Sequence, residues 1–463
     1  MSQDITAVGI EENSGSTGLF AVSEQAVDMP AGADTPMEAG VPVGTDMPAE
    51  TAQVEKLWTP NFILLWQGQL VSILGDVIYG IALGFWVLAV TGSTALMGTM
   101  MAASTLPAVL VSPFAGVIAD RTDRRKLLIL MDIIRGAAVV LLAIAVFRGS
   151  DGIWMVFTTG IVLSVCGAFF SPAVGSTIPD IVPKSRLIGA NSMMGIIQSG
   201  SNIIGNSAGG FLFQVLGAPV LFLFNGLSFI VSAFLNLFLK IPKIERKEKQ
   251  HFFADMKDGY KFVWRFRGLR DLLVIISVLN FVSFVAIVLF LPLFQQTESL
   301  GPGRYGVAMA FLTGGMLVAM IATSAIKFAP AGRLKIFMLS SVIGFICFSA
   351  TALAENFILM CVLIFLGGFF NAIINVFINT TIQLTVPQFM RGKVFALVSM
   401  LSQALTPFGM LLGGVLGEFF PIRTIIFVCF MFTLVAFIPF GFMKSFRRFI
   451  NFDPEKETLE DIL

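Results

Sequence analysis

Residues 61–90 read NFILLWQGQLVSILGDVIYGIALGFWVLAV and carry one charged side chain, Asp76. A strand that crosses a membrane needs about ten residues of alternating polarity, whereas a helix needs about twenty residues that are apolar on all sides. This stretch has the helical length and shows no alternation. Because the hydrocarbon core offers no water to unpaired backbone groups, the stretch predicts a transmembrane helix.

Eleven further apolar runs follow this one. They lie at about 94–118, 127–147, 152–178, 189–216, 219–239, 269–294, 304–328, 333–353, 357–381, 392–418 and 421–443. The whole chain is 56% hydrophobic and 13% charged, whereas a soluble protein has about a quarter of its residues charged. We therefore predict an all-α membrane protein with twelve transmembrane helices in two six-helix halves.

Composition divides the chain into five predicted segments. These are a disordered acidic tail over 1–58, a six-helix bundle over 59–239, a basic linker over 240–268, a second six-helix bundle over 269–443 and a tail over 444–463. The first tail has ten acidic residues and no Lys or Arg before Lys56, a composition that cannot bury enough apolar surface to fold. It is either a regulatory, partner-binding tail or, as we favour, a dispensable extension. The linker is either a patch for anionic lipid or nucleic acid or, as we favour, a positive-inside connection with an interfacial helix near Phe252–Trp264.

The distribution of basic residues predicts the orientation in the membrane. Of the 30 Lys and Arg residues, 26 fall in the connections and tails of one side and three fall on the other side, while Arg135 lies within a run. Basic residues accumulate on the cytoplasmic side of membrane proteins. We therefore expect a multi-pass protein of the bacterial inner membrane with both termini in the cytoplasm.

Several kinds of site are disfavoured by the residues present. The chain has one histidine, His251, and its four cysteines lie inside apolar runs without metal-ligand spacing (Cys166, Cys347, Cys361 and Cys429). It contains no Gly-x-x-x-x-Gly-Lys-Ser/Thr loop, so ATP is not the expected energy source. We expect no metal, no cofactor and no enzyme activity.

The two halves carry an internal repeat. With an offset of 204, glycines of the fifth run match glycines of the eleventh run: Gly205 with Gly409, Gly209 with Gly413, and Gly210 with Gly414. Glycines at such spacing let helices pack closely. Two like halves form a transporter architecture whose substrate site lies at their interface near the midplane of the membrane.

The connection after the second run is Gly116-Val-Ile-Ala-Asp-Arg-Thr-Asp-Arg-Arg-Lys126. It favours a gate in which Asp120 pairs with Arg124 and locks two helices in one state; the alternative is a basic loop with incidental acids. The connection resembles the signature loop of the major facilitator superfamily, Gly-x-x-x-Asp-Arg-x-Gly-Arg-Arg/Lys, with Asp123 in place of the second glycine. The candidate gate residues are Gly116, Asp120, Arg121, Arg124 and Arg125.

Two further stretches narrow this resemblance. Gly205-Asn-Ser-Ala-Gly-Gly210 resembles the antiporter signature of proton-coupled exporters, with Asn206 in place of proline, although a plain packing face is the alternative. Residues 181–191 and 224–229 are similar to the macrolide-efflux type of facilitator, also called the third drug:proton antiporter family. The resemblance covers about residues 60–443 and implies alternating access and export driven by proton influx.

Asp76 is the foremost polar residue inside an apolar run, because an ionisable group buried in a bilayer is costly. It lies near the middle of the first run and shares a helical stripe with Gln69, Ser72 and Tyr79, which are candidates for lining a cavity. A desolvated carboxylate can take up and release a proton near neutrality. We interpret Asp76 as a proton carrier; the alternative is a structural carboxylate held by a neighbouring helix.

Other polar residues also interrupt the apolar runs. Asp132 and Arg135 are spaced for an ion pair, which we interpret as structural, extending the gate, rather than as a substrate clamp. Amides at four-residue spacing form ladders on the fifth and tenth runs that face either a cavity or a neighbouring helix. With two single amides, the cavity candidates are Gln198, Asn202, Asn206, Asn280, Asn371, Asn375, Asn379, Gln383 and Gln403.

The leading hypothesis is a secondary active exporter of amphipathic small molecules, such as drugs, macrolides or siderophores, coupled to protons. An uptake facilitator and a lysophospholipid or lipid flippase of the same fold are open alternatives, and a membrane enzyme is disfavoured. The expected partners are a small-molecule substrate, protons and membrane lipid, without nucleic acid. We expect the chain to act as a monomer.

Overall fold

The computed structural model describes residues 56–150, 152–241, 260–326, 330–387 and 390–452. These residues form helices joined by short connections, without strands. Nearly all of the tail predicted over 1–58 lies outside the described residues, as do most of the linker with His251 and residues 453–463. The division into five segments therefore stays a prediction.

The described residues of the first half form six α-helices. They are α1 Pro60–Thr91, α2 Thr94–Ala103, α3 Leu106–Arg121, α4 Arg124–Phe147, α5 Ile153–Ile181 and α6 Leu187–Leu237. Capping begins and ends α1, because the side chain of Thr59 accepts a hydrogen bond from the backbone N–H of Phe62 and Gly92 adopts a left-handed φ of 68°. The capping residues separate α1 from α2 by a two-residue connection.

The second half continues the numbering. Its helices are α7 Arg267–Ile287, α8 Phe290–Gln296, α9 Gly301–Ala325, α10 Pro330–Leu353, α11 Phe357–Thr385, α12 Arg391–Ala404, α13 Thr406–Phe419, α14 Ile422–Phe437 and α15 Lys444–Ile450. Residues 260–265 are also helical, where the interfacial helix of the linker was expected to end. The crossing made by α12 and α13 is divided just before Pro407, which occupies the first turn of α13, where its missing N–H is tolerated.

The longest helix, α6, contains two membrane crossings. As a straight helix its 51 residues extend roughly 75 Å, more than twice the hydrocarbon thickness of about 30 Å. Gly217 breaks it with φ 73° and ψ 168°, and Pro219 follows. We call residues 187–216 the first limb of α6 and residues 218–237 the second limb. Eleven helical segments of the described chain are long and apolar enough to cross a membrane, and some of them join two consecutive helices, as α7 and α8 do. Because α6 supplies two crossings, these segments make the twelve predicted crossings.

The bundle has two ends, which we name by their connections. The basic end holds the α3–α4 and α5–α6 connections and the described residues around Lys240. The far end holds the α1–α2, α4–α5, α10–α11 and α13–α14 connections and the break at Gly217.

Three buried apolar clusters show where the two halves meet. One cluster, toward the far end, combines side chains of both halves, such as Phe85 of α1 and Phe294 of α8. The other two lie toward the basic end, and each belongs to one half: one surrounds Phe62 and the other surrounds Phe337. Among the described residues, the halves therefore share a core at the far end and have separate cores at the basic end.

The repeated glycines make equivalent contacts within the two halves. A Cβ atom placed on Gly205 would lie 2.7 Å from the side chain of Val77 in α1, and one placed on Gly409 would lie 2.6 Å from the carbonyl oxygen of Phe281 in α7. Val77 and Phe281 are themselves 204 positions apart. One turn later, Gly209 packs on Ile81 and Gly413 packs on Val285. The two halves therefore share equivalent helix contacts as well as similar sequences.

The last glycine of each set crosses between the halves. Gly210 in the first limb of α6 meets the backbone of Pro302 and Gly306 in α9. Gly414 in α13 meets α2, where a Cβ atom would lie 2.7 Å from Cα of Gly98. Any side chain at these positions would push the backbones apart. The two glycines thus seal the far end at matching places of the repeat.

Candidate functional site

A buried polar cluster lies inside the first half, between α1, α4 and the second limb of α6. Asp132 of α4 is fully buried and pairs with Arg135 one turn later. Its other carboxylate oxygen accepts hydrogen bonds from Ser232 Oγ at 2.8 Å and from Asn236 Nδ2 at 3.1 Å. Both oxygens are therefore satisfied, as a carboxylate removed from water requires.

Arg135 is held by aromatic rings as well as by Asp132. Its guanidinium carbon lies 4.2 Å from the ring centroid of Phe170 in α5 and 4.4 Å from that of Phe229 in α6. Aromatic faces attract a desolvated cation. Arg135 is only 5% exposed, and its Nε has no hydrogen-bond partner among the described residues. The ion pair expected from the sequence is formed, and three helices enclose it; its role stays a prediction.

Asp76 lies in the same cluster but has fewer partners. Asn225 Nδ2 donates to Asp76 Oδ1 at a long distance of 3.4 Å, and Asn225 is itself fully buried. Beside them, a Cβ atom on Gly75 would lie 2.6 Å from Asn225 Oδ1, so the absence of a side chain there lets α6 approach α1. The bond from Asn225 is the one hydrogen bond that the described residues give to the Asp76 carboxylate. Asp76 is therefore the carboxylate of the cluster with unused acceptor capacity.

The rest of the predicted stripe on α1 is buried in this conformation. Gln69 is 7% exposed, Ser72 is 2% exposed and Tyr79 is 4% exposed. The ring of Tyr79 packs on Phe222 with centroids 5.1 Å apart. The hydroxyl of Tyr79 and Nε2 of Gln69 find no partner among the described residues. Unpaired buried polar atoms are rare, so these two atoms have capacity for water or a ligand. That the stripe lines a cavity stays a prediction.

The amide ladders mainly bond to their own helices. Asn202 Nδ2 donates to the carbonyl of Gln198, and Asn206 Nδ2 donates to the carbonyl of Asn202, both at 2.7 Å. In α11, Asn375 and Asn379 donate in the same way to the carbonyls of Asn371 and Asn375 at 2.9 Å. Gln198, Asn375, Asn379 and Gln383 are exposed, whereas Asn202, Asn206 and Asn371 are half-buried. The hydrogen bonds of each ladder run within its own helix. That the ladders line a cavity stays a prediction.

Asn280 connects two crossings of the second half. Its Nδ2 donates to the carbonyl oxygen of Ser402 in α12 at 3.1 Å, and the neighbouring Gln403 is exposed. Asn280 follows Asp76 by 204 positions. The repeat therefore places an acid in the first half and an amide in the second half at equivalent positions.

The arginines of the signature loop tie α4 to its neighbours at the basic end. Arg124 pairs with Asp180 of α5 and donates to the carbonyl of Ser176 at 2.9 Å. Arg125 donates to the carbonyl of Leu237 at the end of α6. These bonds hold the three crossings of the first half together at the loop.

The remaining loop residues have different places. The side chains of Asp120 and Arg121 lie outside the described residues, so the pairing of Asp120 with Arg124 stays a prediction. No heavy atom lies within 4 Å of a Cβ placed on Gly116, so this glycine makes no close helix contact with the described residues in this conformation. Asp123, which replaces the signature glycine, caps α4 by accepting from the backbone N–H of Lys126 at 3.2 Å.

A carboxylate also joins the two halves at the far end. Glu418 Oε2 in α13 accepts from Ser93 Oγ at 3.0 Å, from Thr94 Oγ1 at 3.2 Å and from the backbone N–H of Ala95 at 3.2 Å. The three donors lie at the beginning of α2, where the helix dipole favours a negative charge. Glu418 of the second half therefore caps a helix of the first half, next to the Gly98–Gly414 contact.

Sequence reasoning missed the partners that the second limb of α6 supplies, and it missed Glu418. Asn225, Ser228, Ser232 and Asn236 recur at i, i+3, i+7 and i+11 in an apolar run. That spacing places them on one face of a helix, as for the stripe on α1. The spacing of these four residues could therefore have predicted that the second limb of α6 supplies polar side chains to the cluster.

The two carboxylates of the cluster differ in how their charge is balanced. In the part of the chain that the structure describes, no group of three or more His, Cys, Asp or Glu side chains could hold a metal ion. Within the cluster, the charge of Asp132 is balanced by Arg135, whereas Asp76 has only a long bond to a neutral amide. Adding or removing a proton at Asp76 therefore changes the net charge of the cluster.

Most of the chain is similar in sequence to known proteins. Residues 52–449 match the sequence profile of a family described as transmembrane secretion effector. Macrolide efflux protein A of Streptococcus pyogenes is 27% identical over 265 residues, which are 56% of this chain and 65% of that protein. The chain thus spans just under two thirds of that relative. Multidrug efflux pump Tap of Mycolicibacterium fortuitum is 26% identical over 356 residues, which are 72% of this chain and 83% of the pump.

A solved structure shares the fold. A bacterial homologue of the human lysosomal transporter Spinster, in an inward-facing and occupied conformation, superposes with a TM-score of 0.62. The two chains are 13% identical, and the alignment covers 86% of this chain and 97% of the other. At this identity, the likeness concerns the arrangement of the helices alone.

Proposed function

The chain belongs to the transmembrane secretion effector family of the major facilitator superfamily, and from that premise we propose that it exports amphipathic small molecules in exchange for protons. The proposed cycle is alternating access, in which the two halves open a shared site first to one side of the membrane and then to the other. The observation that carries the proposal is Asp76, a carboxylate with a single long hydrogen bond inside the membrane-spanning core.

The packing of the halves supports one state of that cycle. The described halves share a core at the far end and have separate cores at the basic end. A transporter in this state is closed at the far end and open at the basic end. The excess of Lys and Arg at the basic end supports its assignment to the cytoplasm. In the proposal, this conformation takes up substrate from the cytoplasmic side.

The relatives support the class of substrate. One is named for macrolide efflux and another for multidrug efflux. An exporter of bulky amphipathic compounds needs an adaptable apolar wall, and the chain has 22 Met and 47 Phe residues. We therefore propose drug-like amphipathic compounds, with macrolides first among those to be tested.

Asp76 is the proposed proton carrier. A carboxylate that has lost most of its water is stable in the membrane when protonated, and it ionises when water or a positive charge reaches it. Asn225 Nδ2 donates to Asp76 Oδ1 at 3.4 Å, and the same bond can be made to the ionised form. In the proposed cycle, Asp76 is protonated from the far side and releases the proton to the cytoplasm when substrate enters.

Glu418 is the proposed latch of the far end. Its bonds to Ser93, Thr94 and Ala95 join α13 to α2 across the halves, so they must break when the far end opens. Gly98 and Gly414 let the helices come close enough for these bonds to form. The latch therefore stabilises the conformation that is open to the cytoplasm.

The test of the function is a transport assay in inside-out vesicles. A proton gradient is imposed, and a panel of macrolides, lipophilic cations and catecholate siderophores is screened for substrate-dependent proton movement. Wild type is compared with Asp76→Asn and with Asp123→Asn. The second variant makes the same chemical change at a helix cap where asparagine still caps. We expect coupled movement in wild type and in Asp123→Asn, and none in Asp76→Asn.

Other outcomes would reject parts of the proposal. Coupled movement that persists in Asp76→Asn removes this residue from the proton path. Substrate flux that does not depend on the imposed proton gradient indicates an uptake facilitator. Movement of labelled lipid between the leaflets, without movement of any compound in the panel, indicates a flippase of the same fold.

A further inference from the structure

The short helix α15 lies docked against the basic end of the second half. Phe446, Phe449 and Ile450, on one face of α15, are fully buried. The ring of Phe449 meets that of Phe266 with centroids 5.5 Å apart. α15 is therefore amphipathic, and its apolar face is already occupied by the protein itself rather than by lipid tails.

Polar bonds fix both ends of α15. Ser445 Oγ donates to Asp271 Oδ2 of α7 at 3.1 Å. After the helix, Asn451 Oδ1 accepts from the backbone N–H of Leu334 in α10 at 3.0 Å, and Arg333 donates to the carbonyl of Phe452 at 3.0 Å. The helix is thus held in one orientation between α7 and α10, and so is its outer face.

The outer face forms a basic cavity. Lys444, Arg447, Arg448 and Asn451 line a space of about 310 Å³. The three cations follow one another at i, i+3 and i+4, which places them on one face of the helix. None of them forms an ion pair within the described residues, and the nearby carboxylate of Asp271 is engaged by Arg270 and Ser445. Three positive charges that have no ion-pair partner among the described residues, gathered at one small cavity, favour an anion with several acceptor oxygens.

The position of the cavity indicates where that anion comes from. Phe442 ends the 3₁₀ turn that completes the last crossing, two residues before Lys444, so the cations lie where the chain leaves the membrane. Tyr260 and Trp264 are exposed in the short helical segment at the end of the linker, just before Phe266, and their rings stack 4.8 Å apart. Exposed tyrosine and tryptophan are typical of the level of lipid headgroups.

We propose that this cavity binds a phosphate group, specifically the phosphodiester headgroup of an anionic phospholipid in the leaflet at the basic end. Lys444, Arg447 and Arg448 contact the phosphate oxygens, with Arg447 and Arg448 able to donate two hydrogen bonds each. The amide of Asn451 faces the same space. The proposal needs no transported substrate and does not depend on Asp76.

The test is lipid retention by the full chain in native mass spectrometry. The detergent-solubilised protein is titrated with phosphatidylglycerol and, separately, with phosphatidylcholine. Wild type is compared with the triple variant Lys444→Gln, Arg447→Gln, Arg448→Gln. The matched control is Lys126→Gln, Lys184→Gln, Lys335→Gln, which removes three exposed cations from the same end of the bundle. Because each cation near an anionic headgroup contributes about 1 kcal/mol, we expect roughly a hundredfold weaker phosphatidylglycerol binding in the cavity variant and near wild-type binding in the control.

Three results would overturn the proposal. Equal loss in both variants assigns the effect to the general positive charge of the surface. Equal retention of both lipids, with inorganic phosphate binding the cavity at the same concentrations, assigns the site to free phosphate. Residues 453–463 hold five acidic residues. If the protein retains phosphatidylglycerol only after these residues are removed, this acidic tail is the occupant of the cavity. A folded cavity variant is verified by an unchanged elution volume and unfolding temperature.

Discussion

The two halves differ most where their third and sixth crossings pack together. In the first half, α4 and the second limb of α6 meet through the Asp132–Arg135 pair and its hydrogen bonds to α6. In the second half, α10 and α14 meet through rings: Phe348 stacks on Phe430 with centroids 5.1 Å apart, and Phe345 contacts Phe437 at 6.3 Å. Equivalent helices thus pack through a buried ion pair in the first half and through aromatic rings in the second half.

This difference indicates a division of labour. Buried charge in a membrane protein is costly and persists where it is used, and the charged interface lies in the half that carries Asp76. The equivalent position in the other half is Asn280, a neutral amide that bonds to α12. The first half therefore holds the buried ion pair and Asp76, the proposed proton carrier, while the second half packs the equivalent helices through apolar side chains. At the far end the halves are alike, because glycines of both make the same contacts.

The largest expected effect tests the charged interface. Arg135→Met leaves Asp132 buried without its cation, and breaking such a pair destabilises a protein by about 3–5 kcal/mol. The double variant Asp132→Asn, Arg135→Met recovers much of this loss, because no unpaired charge remains. Phe348→Leu at the aromatic interface costs less, about 1–2 kcal/mol, as is typical of core substitutions. Thermal unfolding in detergent measures all three; a double variant no more stable than Arg135→Met would contradict the explanation.

The second prediction moves the carboxylate between the halves. Asp76→Asn combined with Asn280→Asp keeps the number of acids in the bundle unchanged but moves one of them from beside Asn225 to beside Ser402. We expect proton-driven transport to fall by about a hundredfold or more, the contribution of a positioned proton-transfer group. The single variant Asn280→Asp is the control and should keep its activity. Restored transport in the exchanged variant would show that the halves are equivalent in proton coupling.

The third prediction concerns the place where the halves are alike. Gly210→Ala and Gly414→Ala each put a methyl group against the backbone of the other half, which costs about 1–3 kcal/mol when the helices cannot adjust. The far end should then open, by a similar amount in both variants. Gly195→Ala is the control in the same helix as Gly210, because no atom lies within 4 Å of its Cβ position.

Distances between spin labels at Arg148→Cys and Glu355→Cys report this opening, because both residues are exposed at far-end connections of different halves. We expect a longer distance population in the two interface variants and none in Gly195→Ala. Unchanged distances in Gly210→Ala and Gly414→Ala would mean that the glycines do not maintain the seal.

The smallest expected effect concerns the latch. Glu418→Gln keeps the shape of the side chain but removes the negative charge at the beginning of α2. Because the group is exposed and screened by solvent, the loss should shift the population toward the far-open state by only about two- to fivefold. The same spin-label pair measures the shift. Glu298→Gln, an exposed glutamate near the same end, should leave the distribution unchanged, and an equal shift there would attribute the effect to net charge.

The fold could be predicted well from the sequence because hydrophobic runs of helical length leave few arrangements. Even the break inside α6 coincides with the gap between the apolar runs that end at 216 and begin at 219, since Gly217 and Pro219 interrupt the pattern. The matching glycines predicted the repeat, and the structure shows equivalent contacts at each pair. Segments rich in polar residues, such as the tail over 1–58, offered no comparable pattern.

The site was only partly predictable, for a physical reason. Asp76, Asp132 and Arg135 stand out because charge is rare in an apolar run. Hydroxyl residues do not stand out, because most of them bond to their own helix, as Thr381 does to the carbonyl of Phe377 at 2.8 Å. Ser232 instead bonds across to α4. The sequence does not distinguish these two kinds of bond, which depend on the rotation of the neighbouring helix.

The most direct test of proton coupling through Asp76 is substrate-induced proton release. A compound found in the vesicle screen is added to weakly buffered, detergent-solubilised protein, and released protons are counted with a pH-sensitive dye while binding is followed separately. Wild type is expected to release protons on binding, and Asp76→Asn is expected to bind the compound without release. Equal release by the two proteins would place the coupling group elsewhere and contradict the assignment of proton chemistry to the cluster of the first half.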